Sequence, residues 1–167
     1  NWEQKRESGR DWLVTTALEA SEDIFFSAVE EAGGQEAVDW GGSNQYQALE
    51  ATLQLAAAHM VEHAPLVTPS ALQFRISREL PDGRPFIGYL DAVDENGDVI
   101  DVKTGTRRMS QVDADRDMQA SAYAYGLGRP IQFRWFRVFT QRGFAAAEVV
   151  TSSRSMAGTE WFESVAV

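Results

Sequence analysis

Two aspartates and a lysine, carried on neighbouring runs of alternating sequence, are the residues whose spacing could do chemistry. Gly88-Tyr89-Leu90-Asp91 stands late in one run, and Val99-Ile100-Asp101-Val102-Lys103-Thr104-Gly105 forms the next. Asp94-Glu95-Asn96-Gly97 between them holds Asn-Gly, the strongest short hairpin signal. A hairpin there brings the Asp91 and Asp101 carboxylates to one place. Asp101 and Lys103, two apart, project from the same face of their strand. Gln119 and Tyr123, four apart on a predicted helix, share a face that can border the cluster. Two carboxylates with a backbone carbonyl make a hard oxygen site suited to Mg²⁺ or Mn²⁺. An ion there would neutralise charge developing on a phosphodiester, and an adjacent ammonium would hold the phosphate or handle the proton of an attacking water. An Asp-x-Lys on a strand is, by itself, more often a solvated ion pair worth about 0–1 kcal/mol. Here the Gly-x-x-Asp strand, the hairpin, Asp-x-Lys-Thr-Gly and Gln-x-x-x-Tyr occur together.

The elements that must position these residues can be read from periodicity. Apolar residues at threes and fours predict a helix over 8–32, ended by Gly33-Gly34, then a loop over 35–43 and a helix over 44–63, ended by Pro65 and Pro69. Alternation predicts strands over 72–77, 85–93 and 98–104, with turns at Pro81-Asp82-Gly83 and at Asn96-Gly97. A helix over 113–126, strands over 131–140 and 144–151, and a last helix from 157 to the end complete the order. The expectation is one domain over 1–167, of α/β (α+β) class: a helical part over 1–65 and a sheet-bearing core over 70–155, with a mixed central sheet flanked by helices. The chain opens on Asn1 rather than methionine, as a piece of a longer protein would.

Composition narrows the chemistry. With 167 residues and no cysteine, the chain has neither disulfides, nor a thiolate nucleophile, nor cysteine ligands for an iron–sulfur cluster. There is no apolar run near membrane-spanning length, so no membrane partner is expected, and an intracellular, cytoplasmic setting is favoured. The net charge of −10 argues against a general polyanion-coating protein. Residues 1–70 hold three bases and twelve acids, whereas 71–167 are nearly balanced and can present a local basic surface. Arg107 and Arg108, just past the hairpin, are candidate phosphate contacts there, though such residues are by default solubilising charges. His59 and His63, four apart, could chelate a metal. Lacking a third ligand, they read better as structural, with His63 charged at a helix C-terminus.

With these residues in view, the sequence resembles the RecB-type branch of the PD-(D/E)XK nuclease superfamily, from about Tyr46 to Phe139. That branch includes helicase-linked and phage exonucleases and CRISPR adaptation nucleases. The resemblance implies a restriction-endonuclease-like core and a metal-dependent deoxyribonuclease, an exonuclease by its branch, using Mg²⁺ or Mn²⁺. It further implies DNA as partner, with a helicase or recombination protein beside it. Asp91, Asp101 and the Val102 carbonyl would bind the metal, Lys103 would be the catalytic lysine, and Gln119 and Tyr123 would border the site and contact DNA. Two positions depart from the pattern. Where the family has Gly-x-x-x-His, this chain has Gly9 and Leu13; where it has a glutamate on the preceding strand, this chain has Gln73. The alternative implied by those departures and by the net charge is a catalytically impaired nuclease-like domain serving as a DNA- or protein-binding scaffold.

Overall fold

A computed structural model describes residues 2–165, without the side chains at 159, 161, 163 and 165. Its helices are α1 (Trp2–Ser8), α2 (Val14–Glu31), α3 (Gln45–Glu62), α4 (Gln111–Arg116), α5 (Met118–Leu127) and α6 (Met156–Val165). Its strands are β1 (Pro69–Glu79), β2 (Pro85–Asp94), β3 (Val99–Gly105), β4 (Ile131–Gln141) and β5 (Phe144–Arg154). They form one mixed sheet in the order β1-β2-β3-β4-β5, with β3 and β4 parallel and every other pair antiparallel. Parallel neighbours need a crossover, and α4 and α5 supply it. The fold class, a mixed sheet flanked by helices, therefore follows the sequence expectation. No described helix is long and apolar enough to cross a membrane.

Turn chemistry sets the hairpins. The Asp94 carboxylate accepts the N–H groups of Asn96 and Asp98, each at 2.9 Å, and so closes the β2–β3 turn from inside. Arg134 on β4 pairs with Asp94 and, at 3.5 Å, with Asp98, so this arginine is a brace of the turn rather than a phosphate contact. On one face of the sheet, Ile76, Leu90, Val99, Phe133 and Trp135 pack against Ala120 and Ala124 of α5. On the other, Val67, Ala92, Ile100 and Phe136 pack with Trp2 of α1.

Two helices and one strand boundary need correction. The helix expected over 8–32 is broken: Gly9, at φ +72°, ends α1, and α2 begins only at Val14. The helix expected over 113–126 is two helices, because Asp117 adopts an extended ψ of 122° and its carboxylate caps α5 through the Ala120 N–H. An aspartate bonds such free amides better from outside a helix than from within it. The first strand starts at Pro69, three residues before the alternation becomes visible. The final helix begins at Met156, and its expected run to Val167 passes outside the described residues.

His59 and His63 hold α3 to the sheet. The His63 ring lies 4.8 Å from that of Phe136, and its Nε2 is 3.0 Å from the Glu148 carbonyl. Since a carbonyl only accepts, Nε2 carries the proton; His63 Nδ1 is then left to accept from His59 Nδ1, 3.2 Å away. Burial and the opposing imidazole lower His59 to about 4, and burial also lowers His63, so the charged His63 expected at the helix end gives way to a neutral one. Unfolded His59 takes a proton near pH 6.5, whereas folded His59 does so only near pH 4. Between those values the unfolded chain binds more protons, so stability falls as pH drops through that window, by about 3 kcal/mol in all. Urea midpoints measured at pH 7.5 and pH 4.5 should show this loss, and a His59→Leu chain should show less of it. Equal losses in the two chains would exclude His59 as the source.

Candidate active site

Antiparallel pairing of β2 with β3 consists of only Ala92↔Ile100 and Val93↔Val99, after which the strands part. Continuing that register by one residue sets Asp91 opposite Asp101. There Asp91 replaces the ladder with its side chain, its Oδ2 accepting the Val102 N–H at 2.9 Å. A strand residue points its N–H and C=O toward the same neighbour, so the Val102 carbonyl faces the same gap. A second irregularity lies beside it on β1, where Gln73 adopts φ +44°, a conformation that costs a non-glycine residue about 1 kcal/mol or more. The strand changes face at this point. Leu90 packs with the α5-side cluster, yet Ala92, two residues on, packs with the α1-side cluster.

Asp101 is 2% exposed. Gln119 Nε2 donates to its Oδ1 at 2.9 Å, and Lys103 Nζ lies 3.0 Å from its Oδ2. The lysine contact is an ion pair without good hydrogen-bond direction, which leaves Oδ2 a buried acceptor with no directed donor. Gln119 Nε2 also donates to the Tyr123 hydroxyl at 2.9 Å, and that hydroxyl donates to the Tyr89 carbonyl at 2.9 Å. The chain of contacts runs from β2 through α5 to β3 and fixes the rotamer of Asp101. Burial pushes the Asp101 carboxyl above the usual carboxylate range; Lys103 and Gln119 oppose that shift, and Asp91 adds to it. The Lys103 side chain is 42% exposed, so its ammonium can meet a ligand arriving from solvent.

The oxygens present suit a hard cation. No group of three or more His, Cys, Asp or Glu residues is placed to share a metal ion among the described residues. An ion here would therefore rest on Asp91, Asp101, the Val102 carbonyl and water. Mg²⁺, which keeps several waters and takes one or two carboxylates, accepts such a set. The directed-donor-free Oδ2 of Asp101 is the atom such an ion would satisfy.

The structure thus brings together Asp91, Asp101, Val102, Lys103, Gln119 and Tyr123. It does not gather Arg107 and Arg108 into that cluster. Both are exposed past the end of β3, where Arg137 Nη2 holds the Arg107 carbonyl at 3.0 Å. Leu13, 74% exposed, sits before α2 and does not line the cleft, so no helical Gly-x-x-x pair with Gly9 exists. A cleft of about 510 Å³ opens on the gap, lined by Trp2, Glu3, Arg6, Leu72, Gln73, Asp91 and Val102. Gln73 is therefore part of the site wall. Glu3 and Arg6 were missed from the sequence because seven residues are too few for a helical period to show.

A sequence model described as the PD-(D/E)XK nuclease superfamily matches residues 4–151. No curated protein matches the chain. Among solved structures, a candidate exonuclease from Eubacterium rectale superposes with a TM-score of 0.55 at 11% identity, covering 93% of this chain. This chain spans 64% of that protein's length. A second structure, of SSO0001, covers 98% of this chain and 81% of its own at 13% identity, with a TM-score of 0.38. At such identities the first superposition establishes a shared fold.

Proposed function

This chain belongs to the PD-(D/E)XK nuclease superfamily, and from that membership we propose that it hydrolyses phosphodiester bonds of DNA with Mg²⁺ or Mn²⁺ held by Asp91, Asp101 and the Val102 carbonyl. The observation that carries the reading is the meeting of Asp91 with the Val102 amide, and of Asp101 with Lys103, at the point where β2 and β3 part. A bound divalent ion supplies neutralisation of the phosphate and acidification of a water ligand. The residues do the rest. Gln119 and Tyr123 hold Asp101 in one rotamer, and Asp91 is held by the backbone amide it accepts. Lys103, tethered 3.0 Å from Asp101 yet open to solvent, sets an ammonium where an anionic phosphate oxygen or the proton of an attacking water would lie. Cutting from DNA ends is the finer reading, supported by the name of the Eubacterium rectale neighbour. A role in repair or recombination beside a helicase rests on the family resemblance alone.

The scaffold reading keeps one specific observation in its favour: among the described residues, no third carboxylate or histidine is placed to share an ion with Asp91 and Asp101. A single digestion separates the two. Linear and covalently closed circular DNA are incubated with the chain in Mn²⁺, Mg²⁺ or EDTA. The nuclease reading expects loss of linear DNA in either metal and none in EDTA, with the closed circle surviving if ends are required. Cutting that persists in EDTA, or intact linear DNA in both metals, overturns it.

A further inference from the structure

Past the break at Gln73 and Asp91, the sheet face that α1 covers at its other end is left bare among the described residues. Arg75 and Ser77 of β1 are exposed there, as are Ile87 and Tyr89 of β2, at 49% and 55%. Arg75 and Tyr89 are direct cross-strand partners, which sets their side chains about 5 Å apart at the Cβ atoms. Tyr89 lies two residues before Asp91, about 6.6 Å along the strand. Its own carbonyl is held by the Tyr123 hydroxyl, the group that also positions Gln119 on Asp101, so the ring and the carboxylate are carried on one hydrogen-bonded unit. Across the cleft, Arg6 of α1 faces Asp91 and Gln73. Neither the Arg6 nor the Arg75 guanidinium has a hydrogen bond or ion pair among the described residues. Lys5, its neighbour on α1, is by contrast committed to Asp11 and the Ala64 carbonyl. Two unneutralised guanidinium groups and a flat exposed ring, arranged in line with the acidic gap, match an occupant with both negative charge and open π-faces.

We propose that this strip is a single-strand track: Tyr89 and Arg75 stack a base of a single-stranded DNA segment while Arg6 grips a phosphate, delivering the adjoining phosphodiester to Asp91 and Asp101. This rests on the nuclease reading and adds its substrate form. A duplex keeps its base faces stacked inside the helix, all but the two terminal ones, and has none to offer Tyr89 along its length, whereas an unpaired strand does. Base stacking on an aromatic side chain is sequence-tolerant, and a guanidinium takes a phosphate through a bidentate fork.

The test uses the Lys103→Ala chain in Mg²⁺, with a fluorescein-labelled 15-nucleotide strand and the same sequence as a blunt duplex, read by anisotropy. Adding Tyr89→Ala should weaken single-strand binding by about 5- to 150-fold and leave duplex binding within about twofold, while Tyr89→Phe, which keeps the ring, should retain the affinity. Arg6→Ala should lower the slope of log affinity against log salt for the single strand by about 0.7, one phosphate contact. Unchanged single-strand binding in Tyr89→Ala, or equal loss for strand and duplex, overturns the track while DNA retention by the parent chain leaves the nuclease reading standing. Failure of the Lys103→Ala chain to hold either DNA form, together with no cutting by the unaltered chain, overturns both. All three substituted positions are exposed or cleft-lining, and matching melting temperatures among the variants exclude misfolding as the cause.

Discussion

On the proposed nuclease reading, Lys103→Ala should lower the rate of metal-dependent DNA cleavage by about 10²- to 10⁴-fold, the range for removing a positioned proton-transfer or charge-stabilising group. Its fold survives. The Lys103 side chain is 42% exposed and belongs to neither of the apolar clusters that flank the sheet, so little packing is lost with it. Asp101 would lose its ion-pair partner in a buried place. It already lies above the usual carboxylate range because of that burial, so it can take a proton instead of remaining an unpaired charge. Lys103→Arg should not restore activity. A planar fork cannot sit 3.0 Å from Asp101 in the space of a compact ammonium and still present a point charge to a phosphate. Asp101→Ala removes an expected metal ligand and should be at least as damaging. The measurement is the initial rate of linear DNA loss in Mn²⁺, with the thermal midpoint recorded for each chain. A rate within about threefold of the unaltered chain, at an unchanged midpoint, would remove Lys103 from the mechanism.

The meeting of these side chains was legible in the sequence because they obey the strongest local rules. Period-two alternation put Asp101 and Lys103 on one face, and Asn96-Gly97 folded β2 onto β3, so three residues far apart in chemistry became neighbours by arithmetic. Gln119 and Tyr123 followed from helical spacing. What sequence did not carry was the break that opens the gap. Gln73 takes a left-handed φ with no glycine or asparagine to announce it, and Asp91 leaves the ladder because its own carboxylate outcompetes a backbone carbonyl for the Val102 amide. Neither choice is local. Both accompany the passage of Leu90 and Ala92 into opposite faces. The cleft's second wall was equally silent, since α1 is held by long-range contacts, Lys5 to the Ala64 carbonyl and Trp2 to Phe136, rather than by its own periodicity. Arg129 and Arg134 are structural braces, on Gly97 and on Asp94, a use that only the folded turn reveals.

The most consequential arginine attracted no notice in the sequence at all, and its loss should cost the most stability. Arg154, 6% exposed at the end of β5, spends its donors on the fold. Nε donates to Ser121 at 3.0 Å, Nη1 to Ser152 at 2.6 Å and to the Ser153 carbonyl at 3.1 Å. Nη2 donates to the carbonyls of Ala114 at 2.8 Å and Asp117 at 3.1 Å, which lie at the C-terminal end of α4. Burial lowers its pKa, and Asp117 and Asp115 oppose that shift. Arg154→Met strips several buried acceptors of their donor at once, a cost of about 3 kcal/mol or more, or a fall of about 10 °C in the thermal midpoint for a domain of this size. Arg154→Lys should recover less than half, because three donors on a flexible stem cannot reach acceptors on α4, α5 and β5 together. The effect reaches the chemistry through the α4–α5 junction. Arg154 holds the Asp117 carbonyl, Asp117 caps α5, and Gln119 stands in the first turn of that helix, donating to Asp101. At a temperature well below the transition, Arg154→Met should therefore cut more slowly at saturating DNA while its apparent affinity for DNA stays near that of the unaltered chain. Urea midpoints and turnover measured on the same preparations decide it. A midpoint unmoved by the substitution would show that α4 and α5 are held by their apolar contacts alone.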